Sequence, residues 1–384
     1  MLTHVHTHDR PLLTLLPRVA SRLPFVALGD FPTPIDDLAP VMRDAGLTTP
    51  AFVKRDDRSS PVYGGNKVRT LEVLFAEALE QGATHVVSTG AFGTNHGVAT
   101  ALHAPRVGLD ASALLFPQPA SPCALENFEV LAAHELHAIP HWSALPPAML
   151  AASVRARLRD ERTYVMVPGG ATPRGALGYV NGALELAQQV AAGELPEPRT
   201  IVLGVGSTCT TAGLLVGVHV ASRLGLAFRT PPTLHAVRVT PWPVTSARRI
   251  VGLAARAGHL LAELADDPRL AFDARALTRS LRVDGSQLGR GYGYATESGR
   301  DAITRFAAIE GLTLDTTYSG KAAAGVLALA RSGARGPLLF WSTKSTAPLP
   351  SSTTSSVTSA SSSPTVASHA PWWTRGWIRR AARP

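Results

Sequence analysis

The sequence predicts an α/β protein in which mostly parallel, twisted sheets carry helices on both faces. Three observations predict it. Short and almost continuously apolar runs, such as "THVVSTG" (84–90) and "TIVLGV" (200–205), read as strands buried on both sides. Stretches with helical spacing follow them in alternation along the chain. Turns rich in glycine and hydroxyl side chains join strand to helix, as in "GAFGTNHG" (90–97) and "GVGSTCTTAG" (204–213).

Taken in order, "AFVKRDD" (51–57) reads as a short strand running into a polar loop. Beyond Lys67 the residues Leu71, Leu74, Phe75, Ala78 and Leu79 keep the i, i+3, i+4 spacing of one buried helical face, and Gly82 stops it. "THVVSTG" is the next strand; a Gly-rich turn leads to a helix from Val98. "ASALLFP" (111–117) is a strand, "ALENFEVLAAHEL" (124–136) a helix, and "RTYVMVPGG" (162–170) a strand ending in glycines. Past "GALGYVNGALELAQQVAAG" (175–193) come the strand "TIVLGV", its Gly/Ser/Thr turn and the helix "TTAGLLVGVHVASRLG" (210–225). "LHAVRVT" (234–240) and "LLFWST" (338–343) supply further strands.

A chain of 384 residues buries a sizeable core and suggests two domains. Its 45% hydrophobic content and mean hydropathy of +0.09 are those of a globular chain, and no run is long enough for a membrane span. The first residues lack a basic region followed by a small-residue cleavage site, so no secretory signal is expected and a cytoplasmic location is the default. Cys123 and Cys209 are too few for a disulfide framework and have no zinc spacing; no metal is expected. The net charge of +9 falls to +5 without Arg375, Arg379, Arg380 and Arg383 of the tail. The rest of the chain has no basic run with interleaved aromatics, which argues against a nucleic-acid platform. Residues 347–384 form a Ser/Thr-rich, low-complexity stretch ending in Trp372, Trp373, Trp377 and arginines, and are expected to be disordered. That end fits a docking segment or an unselected extension equally well.

The chain has four lysines among 37 basic residues, so arginine carries the ordinary surface charge. Lys67 follows Gly64, Gly65 and Asn66 at the head of a helix. The positive end of a helix dipole disfavours an ammonium and favours a nucleophilic amine, which can form a Schiff base as a guanidinium cannot. On its own the segment fits a solvated helix start as well. Gly204–Gly213 suits a single phosphate group at a helix N-terminus. It is neither a Walker loop nor a dinucleotide fingerprint, because Cys209 stands where the third glycine belongs; a tight turn with no ligand is the other reading. "GTNHG" (93–97) presents Thr94 and Asn95 on a second strand-to-helix turn, with His96 a base or an ordinary turn histidine. "LDTTYSGKAAAG" (314–325) presents Tyr318 and Ser319, and an ordinary hydrogen-bonded tyrosine is its plain reading. Together these segments ask for a ligand with an aldehyde, a phosphate and a ring, and pyridoxal phosphate has all three.

From "FPTPIDDL" (31–38) through "KRDD", "YGGNKVR", "TNH", "VPGGATPRGALGYVNGALEL" and the phosphate loop to "YSGKA", the chain resembles the fold type II pyridoxal-phosphate enzymes. Within them it is most similar to the D-cysteine desulfhydrase / 1-aminocyclopropane-1-carboxylate deaminase group. The resemblance implies a tryptophan synthase β-like fold: a large domain of residues 1–66 and 165–346, a small domain of 67–163, and the cofactor in the cleft between them. It implies that Lys67 holds pyridoxal 5'-phosphate covalently and that Gly206, Ser207, Thr208, Cys209 and Thr210 cradle its phosphate. Asn95 would bond the ring hydroxyl, Ser319 would face the pyridine nitrogen, and Thr94 and Tyr318 would meet the substrate. Gly170 and Tyr179 lie in a family motif whose role the sequence leaves open. A homodimer acting on a small amino acid is the family's habit.

Ser319 bears on the reaction. A carboxylate there would hold the pyridine nitrogen protonated, whereas a hydroxyl is expected to leave the ring nearer neutral and so favour prompt β-elimination. The expected activity is a deaminating lyase converting D-cysteine to pyruvate, sulfide and ammonia. Its rivals are ring-opening deamination of 1-aminocyclopropane-1-carboxylate and a catalytically silent cofactor- or partner-binding protein. Departures from the family pattern cluster where substrate should sit: Gly93 for a glutamine, Thr94 for a serine, Thr316-Thr317 for Pro-Val, and "FWSTKS" (340–345) for a His-Thr-Gly-Gly turn.

Overall fold

A computed structural model describes residues 9–159 and 161–349; the expectation for the tail beyond Leu349 lies outside them. In chain order the strands among these residues are β1 (Ile35–Asp37), β2 (Ala51–Lys54), β3 (His85–Ala91), β4 (Asp110–Phe116), β5 (Glu135–Ala138), β6 (Thr163–Val165), β7 (Thr200–Val205), β8 (Thr233–Arg238), β9 (Leu281–Asp284) and β10 (Leu338–Trp341). They form a six-stranded sheet ordered β1-β2-β10-β7-β8-β9 and a four-stranded sheet ordered β5-β4-β3-β6. Every pairing is parallel except β1 with β2. The chain accordingly divides into two compact units. The larger comprises the residues up to Glu77 with Gly170–Thr346, and the smaller comprises Ala78–Gly169.

The larger sheet shows why its strands read as continuous apolar runs. Ile201, Leu203 and Val205 of β7 belong to one hydrophobic cluster, while Val202 between them belongs to another. Leu339 and Trp341 of β10 likewise part from Leu338 and Phe340. Side chains alternate across a strand, so both faces are buried under helices. On one face the helices Pro173–Ala191 and Cys209–Arg223 approach closely, because Gly213 and Gly217 carry no side chain there. A Cβ at Gly213 would lie 2.2 Å from the Ala176 carbonyl oxygen, and one at Gly217 would lie 2.4 Å from Ala183 Cβ. This packing fixes the start of the second helix, and with it the Gly204–Thr210 turn.

Two sequence expectations are corrected. The helix expected from Val98 starts at Asn95, with Thr94 as its cap, because the Thr94 hydroxyl accepts the Gly97 amide (3.4 Å) and draws the polar turn into the first helical turn. The helix expected over 124–136 ends at Leu131, and Glu135–Ala138 is instead the edge strand β5 beside β4. Three of the four β5 residues are exposed, so the strand carries no apolar run to announce it. Among the described residues no helix is long and apolar enough to cross a membrane.

Candidate active site

The turn before Lys67 can be built only from small residues. A Cβ at Gly64 would lie 2.3 Å from the Asp57 carbonyl oxygen. Gly65 adopts φ +86°, and a Cβ there would lie 2.5 Å from the Thr343 carbonyl oxygen. Backbone bonds then fasten the turn: Gly65 N–H donates to Asp56 O (2.8 Å) and Asn66 N–H to Thr343 O (3.1 Å). Gly64 N–H donates to the Ser345 hydroxyl (2.9 Å), and Lys344 Nζ lies 5.5 Å from the centre of the Tyr63 ring. The altered "FWSTKS" segment therefore grips the lysine turn directly. Asn66 Nδ2 donates to Thr210 Oγ1 (3.0 Å), which ties that turn to the phosphate-type loop.

Lys67 itself is buried at the head of the helix Lys67–Glu80, contrary to a solvated helix start. Burial lowers the proton affinity of its amine, and Cys209 opposes the shift. Burial also pushes the Cys209 thiol up to about 11, against the pull of Lys67 and a contact with Thr70. At neutral pH the thiol is therefore uncharged, and its hydrogen is directed at the Gly170 carbonyl oxygen (3.1 Å). The group Cys209 offers an anion is its backbone N–H at the helix start, not its sulfur.

Two residues beyond Lys67, Arg69 enters a buried network that holds this helix in place. Its guanidinium donates to Asp56 (3.0 and 2.8 Å) and to Glu185 (2.8 and 2.9 Å). Asp56 Oδ2 also accepts from the Tyr179 hydroxyl and from Trp341 Nε1, each at 2.7 Å. Lys54 Nζ donates to Glu185 Oε1 and to Thr33 O, both at 2.6 Å, and to Gln189 Oε1. Two cations thus meet two carboxylates, as a buried charge cluster requires. Tyr179, whose place the sequence left open, belongs to this framework.

In the Gly204–Thr210 turn, Thr208 adopts φ +77° and precedes the helix Cys209–Arg223 without a capping bond from its side chain. By contrast, Thr94, Ser121, Thr172, Ser246 and Thr296 each cap the helix they precede. A left-handed residue at a helix start turns successive N–H groups toward one point, the arrangement that binds an oxyanion. The Gly206 carbonyl accepts from Thr245 Oγ1 (2.6 Å) and Thr240 Oγ1 (3.3 Å), so the peptide is held from behind. Tyr318 packs on the same loop: a Cβ at Gly206 would lie 3.1 Å from Tyr318 Cε1. The Tyr318 hydroxyl is 2.8 Å from that of Tyr292, a residue sequence reading missed. Its only sequence signal was the Gly-rich "GRGYGYAT" (289–296), where Gly289, Gly291 and Gly293 take positive φ. Ser319 begins the helix Ser319–Arg331 and is bonded to Asp315.

The remaining expected residues lie on the smaller unit. Thr94 stands over Gly90, where a Cβ would come 2.6 Å from Thr94 Oγ1. Asn127 Nδ2 donates to Asn95 Oδ1 (2.7 Å) and Gly93 O (2.9 Å), which turns the NH2 end of the Asn95 amide away from Asn127. Gly93, where a glutamine was expected, has no room for a side chain: a Cβ would lie 2.6 Å from the Cα of Ala124. The amide of Gln118 adjoins instead, its Oε1 accepting the Gly93 N–H (3.1 Å). The larger unit thus brings Lys67, Thr210, Cys209, Gly206, Tyr318 and Ser319 into one connected set, and the smaller unit presents Thr94 and Asn95 side by side.

Residues 26–343 match the family described as pyridoxal-phosphate dependent enzyme. The chain belongs to that family. Its relatives include a D-cysteine desulfhydrase of Salmonella choleraesuis (strain SC-B67), 33% identical over 83% of this chain and 93% of the relative. Nocardicin C-9' epimerase of Nocardia uniformis subsp. tsuyamanensis is 36% identical over 64% of this chain and 73% of its own length. Among solved structures, an ACC deaminase homologue superposes with a TM-score of 0.70 at 28% identity, covering 87% of this chain and 94% of that one. This pyridoxal-phosphate enzyme therefore falls in the D-cysteine desulfhydrase / ACC deaminase group. Its residues fit the cofactor: a buried amine of lowered proton affinity, an anion-directed turn, and a tyrosine packed on that turn stand in one connected set.

Proposed function

We propose that this pyridoxal-phosphate enzyme is a deaminating lyase that eliminates the β-substituent of a small amino acid, with D-cysteine as its substrate. The observation that carries the reading is Lys67: a buried amine of lowered proton affinity, tied through Asn66 to the phosphate-type loop. The D-cysteine desulfhydrase relatives, aligned over 83% of the chain, support the substrate class. When bound, the cofactor supplies an electron sink for the pair left by the α-proton. Lys67 would hold it covalently and, once released by the substrate amine, take the α-proton as general base. The N–H groups of Gly206 to Thr210 would hold its phosphate, the Asn95 amide its ring hydroxyl, and the Ser319 oxygen would face its ring nitrogen. Thr94 and the Tyr318–Tyr292 pair would contact the substrate. The overall change is D-cysteine and water to pyruvate, hydrogen sulfide and ammonia. The reading includes a cytoplasmic homodimer, which sedimentation of the purified protein checks.

The test is a screen of D- and L-amino acids and 1-aminocyclopropane-1-carboxylate for keto-acid release, followed alongside the cofactor's absorbance near about 420 nm. Pyruvate with equimolar sulfide from D-cysteine is the expected result. Keto acid from the cyclopropane substrate alone would replace the elimination with ring opening. Loss of chirality without keto acid would replace it with epimerisation. A band that no amino acid perturbs would make the protein a silent binder. Lys67→Ala is expected to abolish covalent attachment, read by intact mass after borohydride reduction.

A further inference from the structure

Ser319 does not stand alone at the head of its helix. Its hydroxyl lies 2.6 Å from Asp315 Oδ2 and 2.7 Å from the backbone nitrogen of Asp315. The N–H can only donate, so the hydroxyl accepts from it. The Asp315 carboxylate accepts from the backbone N–H groups of Thr317 (2.8 Å), Tyr318 (2.6 Å) and Ser319 (3.1 Å), and therefore acts as an acceptor toward the hydroxyl as well. A serine hydroxyl has one proton and two lone pairs. The proton and one lone pair are spent on Asp315, and what remains for any other group is an acceptor. Both residues are buried, so water does not compete for these bonds.

We propose that Asp315, acting through Ser319, keeps the cofactor's ring nitrogen protonated, so that the pair does the work of a carboxylate at that position. The inference rests on the reading that Ser319 faces the ring nitrogen. A hydroxyl locked as an acceptor can bond a pyridinium N–H and cannot donate to an unprotonated nitrogen. The opposing influence is the helix start, worth about half a positive charge; the Asp315 carboxylate meets it by accepting the N–H groups of Thr317, Tyr318 and Ser319. Lys321, the nearest cation on the helix, also feels the Asp315 charge, but its ammonium is directed at the carbonyls of Leu288 (2.9 Å) and Gly291 (3.2 Å). The hydroxyl at 319 therefore does not imply the neutral ring that its residue type alone suggests. With the ring nitrogen so held, the bound cofactor would supply a deeper electron sink than a neutral ring would.

The proposal is tested by nitrogen NMR of the substrate-free holoenzyme reconstituted with cofactor isotopically labelled at the ring nitrogen. The native protein is expected to give a pyridinium shift. Asp315→Asn, whose amide would turn the hydroxyl round, and Ser319→Ala, which leaves the backbone bonds to Asp315 in place, are both expected to give a pyridine shift. Ser319→Glu is expected to restore the pyridinium. Where Asp315→Asn does not fold, Asp315→Ser keeps a capping hydroxyl without the charge and is expected to lose the pyridinium signal too. An unprotonated ring in the native protein, or a pyridinium that survives at Asp315 variants but not in Ser319→Ala, would overturn the relay. If no variant moves the shift while the cofactor stays covalently bound, Ser319 does not face the ring, and that placement falls instead.

Discussion

Lys54 and Lys67 are both buried, and burial lowers the proton affinity of both, yet they sit in opposite surroundings. Lys54 spends its three ammonium hydrogens on Glu185, Thr33 and Gln189, inside a cluster where two cations meet two carboxylates. The titratable group acting on Lys67 is Cys209, whose thiol is itself pushed up to about 11 and so is neutral at physiological pH. The first arrangement fastens a charge; at the second, burial lowers the proton affinity of the amine beside a neutral thiol. The other two lysines, Lys321 and Lys344, are buried as well, so none of the four serves as ordinary surface charge. Lysine is kept where a compact, tunable amine is needed, and arginine does the rest.

The largest effect that separates the two regions is on stability. Arg69→Met leaves Asp56 and Glu185 buried with one cation between them, and is expected to cost about 3–5 kcal/mol in denaturant unfolding. A cost below about 1 kcal/mol would show that the network is not what holds this helix. Acid is the next probe. Burial would raise the Glu185 carboxyl, but Arg69 and Lys54 pull it down to about 2. A carboxylate depressed in the folded state adds stability above its ordinary value of 4.5 and loses it as pH falls through the folded value. Unfolding free energy is therefore expected to drop between pH 4.5 and about 2, by roughly 3 kcal/mol from this group. Glu185→Gln should flatten that part of the profile.

These surroundings were unevenly legible in the sequence. The turn at Lys67, the phosphate-type loop and the two-faced strands announced themselves, because local backbone needs impose glycine and because buried strands must be apolar. The helix Ala247–Ala265 went unread, although Ile250, Leu253, Ala254, Ala257 and Leu261 recur at helical spacing on one buried face. Asp56, Arg69, Tyr179 and Glu185 could not be paired by reading along the chain, since hydrogen bonds between distant segments join them. Asp315 and Asn127 were missed for a different reason. Each acts by orienting another side chain, Ser319 or Asn95, and such a partner has no spacing rule of its own.

A smaller effect is expected at Lys67. Replacing it with methionine removes a desolvated amine and leaves the network untouched, so the cofactor-free protein should unfold within about 1 kcal/mol of the native one, or later. A loss as large as that of Arg69→Met would mean that Lys67 is a structural cation like Lys54.

The smallest effect tests the thiol side of the contrast. Cys123 is half-buried and Cys209 fully buried; neither is in a disulfide. A thiolate-directed reagent near about pH 8 reacts in proportion to the ionised fraction and to access. Cys209 at about 11 is almost wholly un-ionised there, and its hydrogen is engaged by Gly170. Peptide mass spectrometry of the native, cofactor-free protein should therefore find Cys123 labelled first and Cys209 only on unfolding. Lys67→Met should slow Cys209 further, since Lys67 is the cation that favours its ionised form. If Cys209 instead labels as fast as Cys123, the thiol is a thiolate paired with an ammonium. Lys67 would then be a fastened charge, and its surroundings would no longer differ in kind from those of Lys54.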